Sequence, residues 1–165
     1  MKSYLDIIHD YQLLQARASM GVPLYEEEEA ERSGLWALLR GETGDSDGRR
    51  ALPRVLAPMN ARFSQSRGFG AGRVRDLSGG GLCLTTPAPP PALHTELLVY
   101  LDDLGRGLRF VFPVRVVWRA SGALGAAFSG MPSRVAIADL RARSFTPSGV
   151  YRVKGAAEQD VILVR

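Results

Sequence analysis

The sequence predicts a mainly β fold: a small closed antiparallel barrel of five or six strands, with a helical hairpin on its N-terminal side and a short capping helix on its C-terminal side. Three observations predict it. Leu108, Phe110, Phe112, Val114, Val116 and Trp118 recur at every second position while Arg109, Arg115 and Arg119 take the alternate positions, the pattern of one long strand with an apolar and a polar face. In the first forty residues the apolar spacing is instead three and four, as a helix requires. Between these regions Gly41–Gly48 holds three glycines, two aspartates and no apolar residue, which reads as a flexible linker.

Taken in order, Ser3–Met20 places Tyr4, Ile7, Ile8, Tyr11 and Leu14 on one helix face, and Gly21 ends it. Pro23 suits a first helical turn, Glu26–Glu29 suit a helix N-terminus, and Leu35, Leu38 and Leu39 form an apolar edge before Gly41. Two short helices cannot bury both stripes alone, so the hairpin of residues 1–40 must pack on the following domain or on a second copy of itself. The barrel and its closing helix occupy 49–143 beyond the linker at 41–48. Val74 and Leu77 flank a polar patch; Leu82 and Leu84 alternate, as do Leu97, Val99 and Leu101; Leu124, Ala126 and Phe128 give a further strand. Pro87–Pro91 is a connection, Ser64–Gly72 a glycine-containing loop, and Asp102–Asp103 before Leu104–Gly105 a hairpin turn. Ser133 as a cap, followed by Val135, Ala138 and Leu140, predicts a helix over Ser133–Arg143 that closes one barrel mouth. In the extension 144–165, Val150–Val153 and Val161–Val164 have strand-like composition.

Composition narrows the function classes. A hydrophobic share of 45% in 165 residues builds a real core, so disorder is not the default. The longest apolar runs are too short to span a bilayer, and acids interrupt any secretory signal at the N-terminus, so the expectation is a soluble cytoplasmic protein without membrane insertion. The single cysteine, Cys83, has only His9 and His94 as companions, which offers no disulfide, zinc or redox set and leaves no metal or cofactor to expect. Cys83 sits between Leu82 and Leu84 as a quietly packed small residue, and both histidines read as ordinary polar positions. No nucleophile elbow, P-loop or paired catalytic carboxylates occur, so no enzyme is expected. The net charge of +4 conceals two opposed halves: residues 1–48 hold four basic and ten acidic side chains, the remainder seventeen basic and seven acidic ones. An acidic appendage on a basic domain suggests an anionic ligand.

The basic residues cluster. From Arg49 to Asp76 there are seven arginines, no lysine, and Asp76 as the only acid. A planar guanidinium gives two parallel bonds to a phosphate or to the O6/N7 edge of guanine, and it also stacks on a base. Arg50-Ala-Leu-Pro-Arg54 stands just before the first strand, stiffened by Pro53. Downstream, Asp76-Leu77-Ser78-Gly79-Gly80-Gly81 lies between two candidate strands, and its glycines permit positive φ and close approach of a ligand to the backbone. An ionised aspartate there can accept from the N1–H and N2–H of guanine, with Ser78 and backbone N–H groups left for a phosphate.

These residues resemble the PilZ domain, a six-stranded barrel that binds cyclic di-GMP in bacteria. Its Arg-x-x-x-Arg and Asp/Asn-x-Ser-x-x-Gly motifs match Arg50, Arg54, Asp76, Ser78 and Gly81 in order, and Val116-Val117-Trp118 with Gly125-Ala126-Ala127-Phe128 is similar to its late strand pair. The resemblance implies that Arg50 and Arg54 grip phosphates and guanine, that Asp76 reads the guanine edge, and that Ser78, Gly80 and Gly81 complete the turn. The residue before the arginine pair, here Arg49, implies an intercalated ligand dimer. It further implies a second-messenger receptor acting on motility, surface polysaccharide or development, with the helices docking a protein partner or a second copy. Two alternatives stand beside it: a PilZ-like scaffold that binds no nucleotide, and a barrel that binds nucleic acid. The latter lacks an aromatic platform, because Phe110, Phe112 and Trp118 fall on the predicted core face.

Overall fold

A computed structural model describes residues 2–40, 54–65, 68–141, 143–145 and 151–153. The predicted linker at 41–48, together with Arg49, Arg50, Pro53 and Val161–Val164, lies outside the described residues.

Helix α1 spans Tyr4–Ser19 and starts at a capping box, in which the Asp6 amide donates to Ser3 Oγ at 3.3 Å and the Ser3 amide donates back to the Asp6 carboxylate at 2.9 Å. Gly21, at φ +76°, turns the chain after it. Helix α2 spans Glu26–Arg40, with four glutamates in its first turn and Arg40 in its last, both signs complementing the helix dipole. Pro23 precedes the helix rather than lying in its first turn. Arg17 donates to Glu28 at 2.5 Å and ties the end of α1 to the start of α2.

The strands are β1 (Val55–Gln65), β2 (Gly68–Ser78), β3 (Gly81–Thr85), β4 (Glu96–Asp103), β5 (Leu108–Ala120), β6 (Ala123–Phe128) and β7 (Ser133–Ala136), followed by the five-residue helix α3 (Ile137–Arg141). All pairings are antiparallel, and six strands close in the order β4-β1-β2-β3-β6-β5 through β4–β5 pairing. The long β5 pairs through Val114–Ala120 with β6 and through Leu108–Val111 with β7, so β7 continues along the edge that β6 leaves. A separate ribbon joins β8 (Arg143–Phe145) to β9 (Tyr151–Val153).

Phe63, Phe110, Phe112, Leu77, Leu84, Leu101, Leu124, Val74, Val99 and Val114 are fully buried inside the barrel. The hairpin packs on this core rather than standing apart. Leu5, Ile8 and Leu39 belong to the same buried cluster, and the His9 ring meets the Phe110 ring edge-on at 5.8 Å. His9 is therefore a buried packing residue, not the ordinary polar position expected. Two further expectations are corrected. Ser133–Ala136 is a strand, because Val135 and Ala136 pair with Arg109 and Leu108, and the helix is confined to Ile137–Arg141. Ser64–Gly72 is mostly paired strand, its alternation hidden by glycines that face Phe63 and Ala61 across β1–β2.

Asp6 fastens the hairpin to the barrel. It is 3% exposed, accepts from Arg134 of β7 at 2.7 Å, and also accepts from Arg106 in the β4–β5 turn. Both guanidiniums stand 6.0 Å from the Phe110 ring. No described helix is long and apolar enough to cross a membrane.

Candidate functional site

Irregular strand pairing builds the site. Between β2 and β3, Val74 faces Leu84 and Asp76 faces Cys83, which leaves Arg75 as an extra residue. Val74 and Leu77 both point into the core, so Arg75 and Asp76 both emerge on the outer face. A β-bulge of this kind re-aims side chains beside functional sites. On the other side β1 answers with its own irregularity between Leu56 and Met59, where Pro58 is tolerated because regular pairing lapses.

Asp76 is only 6% exposed although it faces outward. Arg75 Nε donates to one carboxylate oxygen at 2.9 Å, and Arg54 Nη1 stands 3.2 Å from the other. The second arginine of Arg50-x-x-x-Arg54 thus meets the acid of the downstream motif directly. Two guanidiniums around one carboxylate leave an excess positive charge beside the turn. Arg49 and Arg50 lie outside the described residues, so of the predicted site residues the structure brings together Arg54, Asp76, Ser78, Gly80 and Gly81.

The turn itself is held with its carbonyls toward the protein. The Phe128 amide donates to the Gly80 carbonyl at 3.1 Å, Ser78 Oγ donates to the Gly81 carbonyl at 3.2 Å, and Gln12 Nε2 of α1 donates to the Gly79 carbonyl at 2.5 Å. The Gly80 amide reaches Ser78 Oγ at 3.4 Å, while the Gly79 amide has no partner among the described residues. An unpaired amide next to arginines suits an anion.

None of Gly79, Gly80 and Gly81 uses the positive φ that glycine permits. Gly81 is needed for packing: a Cβ there would drive into the Ala126 carbonyl oxygen and crowd the Ala127 Cα of β6. Because that obstacle is backbone, Gly81→Ala is expected to cost about 1–3 kcal/mol, seen as a lowered midpoint in chemical denaturation.

A row of outward positions runs from Asp76 through Cys83 and Gly125 to Trp118. Trp118 is not a core residue as predicted. Val117 is an extra residue in the β5–β6 register, which rotates Trp118 to the outer face, where its indole lies over Gly125 with no room for a Cβ between them. Phe69, 65% exposed, also stands outside against Tyr100 at 5.5 Å. Of the three aromatic residues assigned to the core face, Phe110 and Phe112 lie there as predicted and Trp118 does not. Cys83 is fully buried in this row; burial pushes its thiol up, and the neighbouring Asp76 charge adds to it, so the thiol stays protonated and unreactive.

Sequence reasoning missed Arg75 and Gln12 and set Trp118 on the wrong face. The signal for Arg75 was present, since Val74 and Leu77, both apolar and three apart in a strand, already imply a bulge. Among the described residues no three His, Cys, Asp or Glu side chains cluster to hold a metal.

No curated protein matches the chain. The crystal structure of the PilZ domain of CeSA from a cellulose-synthesizing bacterium is similar at 20% identity, covering 47% of this chain and 80% of that one with a TM-score of 0.39. The PilZ domain family model matches residues 48–145, which takes in the whole barrel, Arg54 and the Asp76–Gly81 turn. With that match over more than half its length, the chain belongs to the PilZ domain family.

Proposed function

We propose that the protein is a cytoplasmic, non-enzymatic receptor for cyclic di-GMP that couples occupancy of the barrel to its N-terminal helices. The observation that carries this reading is the contact of Arg54 with Asp76 beside the Ser78–Gly81 turn, which joins the second arginine of one motif to the acid of the other. Guanine N1–H and N2–H would donate to Asp76. Phosphates would take Arg54, Arg50 and the Gly79 amide, and Arg49 would favour two intercalated ligand molecules.

Coupling is supported by Gln12, whose bond to the Gly79 carbonyl makes α1 a neighbour of the turn. A ligand that shifts this turn changes a contact of the hairpin, and the hairpin then presents a different surface to a protein partner or a second copy.

Isothermal titration calorimetry with cyclic di-GMP, beside cyclic di-AMP, GTP and single-stranded DNA, tests the reading. Saturable heat with cyclic di-GMP alone, at two ligands per protomer, is the expected outcome. One ligand per protomer removes the role given to Arg49. No heat with cyclic di-GMP replaces the receptor by a scaffold that works through the hairpin, and heat with the DNA alone points to a nucleic-acid binder.

A further inference from the structure

The geometry points to Arg75 as a third ligand-gripping arginine, outside the Arg-x-x-x-Arg spacing, that holds Asp76 through Nε and turns its terminal nitrogens to a phosphate of the bound nucleotide. This inference rests on the receptor reading above.

The bulge between Val74 and Asp76 is what makes it possible. In a regular strand Arg75 and Asp76 would point to opposite faces; here both lie on the outer face, and Val74 and Leu77 on either side fill the core. Arg75 uses Nε for the bond to Asp76, and among the described residues its Nη1 and Nη2 groups carry no hydrogen bond. A guanidinium presents five donors in a fixed fork, so using Nε on the carboxylate leaves the far end free for an anion. The side chain is 53% exposed, within reach of a ligand on the outer wall and not wedged into the core.

Acceptor capacity at Asp76 allows the arrangement. A carboxylate offers roughly four lone-pair positions. Arg54 and Arg75 take one position on each oxygen, so each oxygen keeps a lone pair that can accept from a guanine edge. Arg75 then does two things at once: it orients the oxygen that reads the base and adds a charge near the phosphate that follows it. Arg54 precedes β1 whereas Arg75 belongs to the paired strand β2, so Arg75 is fixed by the barrel wall itself.

The test compares the full chain with Arg75→Gln and Arg75→Lys, titrated with cyclic di-GMP at low and high salt. Gln keeps a donor near Asp76 and loses the charge; Lys keeps the charge and loses the fork. Arg75→Gln is expected to weaken affinity about tenfold and to flatten its dependence on salt. Arg75→Lys is expected to recover the salt dependence but only part of the affinity. Melting temperatures close to that of the unsubstituted protein would show that the fold is intact. If the unsubstituted protein binds while both variants bind equally tightly with the same salt dependence, the inference is overturned and the receptor reading stands. If the unsubstituted protein takes no cyclic di-GMP, both fall together.

Discussion

Replacing Asp6 by alanine is expected to lower stability by about 3 kcal/mol and to loosen α1 from the barrel. The carboxylate is 3% exposed and serves Arg106, Arg134 and the Ser3 cap at once, so one substitution removes two ion pairs and the reciprocal half of a capping box. Arg106 and Arg134 are each more than a third exposed, so they regain water when the acid is lost, which places the cost at the low end for a broken buried pair. Leu5 and Ile8 would stay apolar and near the core, so partial detachment rather than unfolding is expected. Hydrogen exchange should rise first along α1, with β3 and β6 unaffected.

The same residue sets a pH dependence. Burial alone would raise the Asp6 carboxyl, but the bonds from Arg106, Ser3 and Arg134 outweigh it and hold the group well below the usual carboxylate range. A carboxyl depressed in the folded state contributes fully above its ordinary value of 3.8, and that contribution disappears as pH falls toward the folded value. The stability difference between the protein and Asp6→Asn is therefore expected to be constant near neutrality and to shrink in acid. Urea denaturation across that range measures it, and a difference that grows in acid would contradict the clamp.

Asp76→Ala is expected to weaken cyclic di-GMP binding at least tenfold, since a lost charge-assisted hydrogen bond is worth about 1.5–3 kcal/mol. The barrel should survive, because the two arginines left without a partner are both substantially solvent-exposed and Asp76 itself lies outside the core. Arg54→Ala should produce a similar loss. Calorimetric titration of both variants against the unsubstituted protein checks this, and unchanged affinity in both would place the ligand elsewhere.

Much of the barrel was legible because alternation survives wherever strands pair regularly. Leu97, Val99 and Leu101, and Leu108 to Val116, lie on the inner face as their spacing predicts. Legibility failed at the bulges. Val116 and Trp118 are two apart yet on opposite faces, since Val117 interrupts the register and shifts the phase; only Gly125, small enough to lie beneath an indole, hinted at it. Ser64–Gly72 was obscure because its glycines supply no side chain to show which face is inward. The turn was found from its motif, but the reason for Gly81 was not: the close approach of β3 to β6 is a tertiary fact. Asp6 and Gln12 were invisible for a related reason. Their partners lie 67 to 128 residues away in sequence, and a capping acid or a helix glutamine carries no local mark of what it will touch.

The central claim, that cyclic di-GMP seats on the Asp76–Gly81 turn and is sensed by α1, is tested most directly by titrating the nitrogen-15-labelled protein with the nucleotide and following amide resonances. Saturable shifts at Ser78, Gly79, Gly80 and Gly81, accompanied by the side-chain amide of Gln12, are the predicted result. Saturation that moves other residues and leaves the turn and Gln12 in place, or no shift at all, would contradict it.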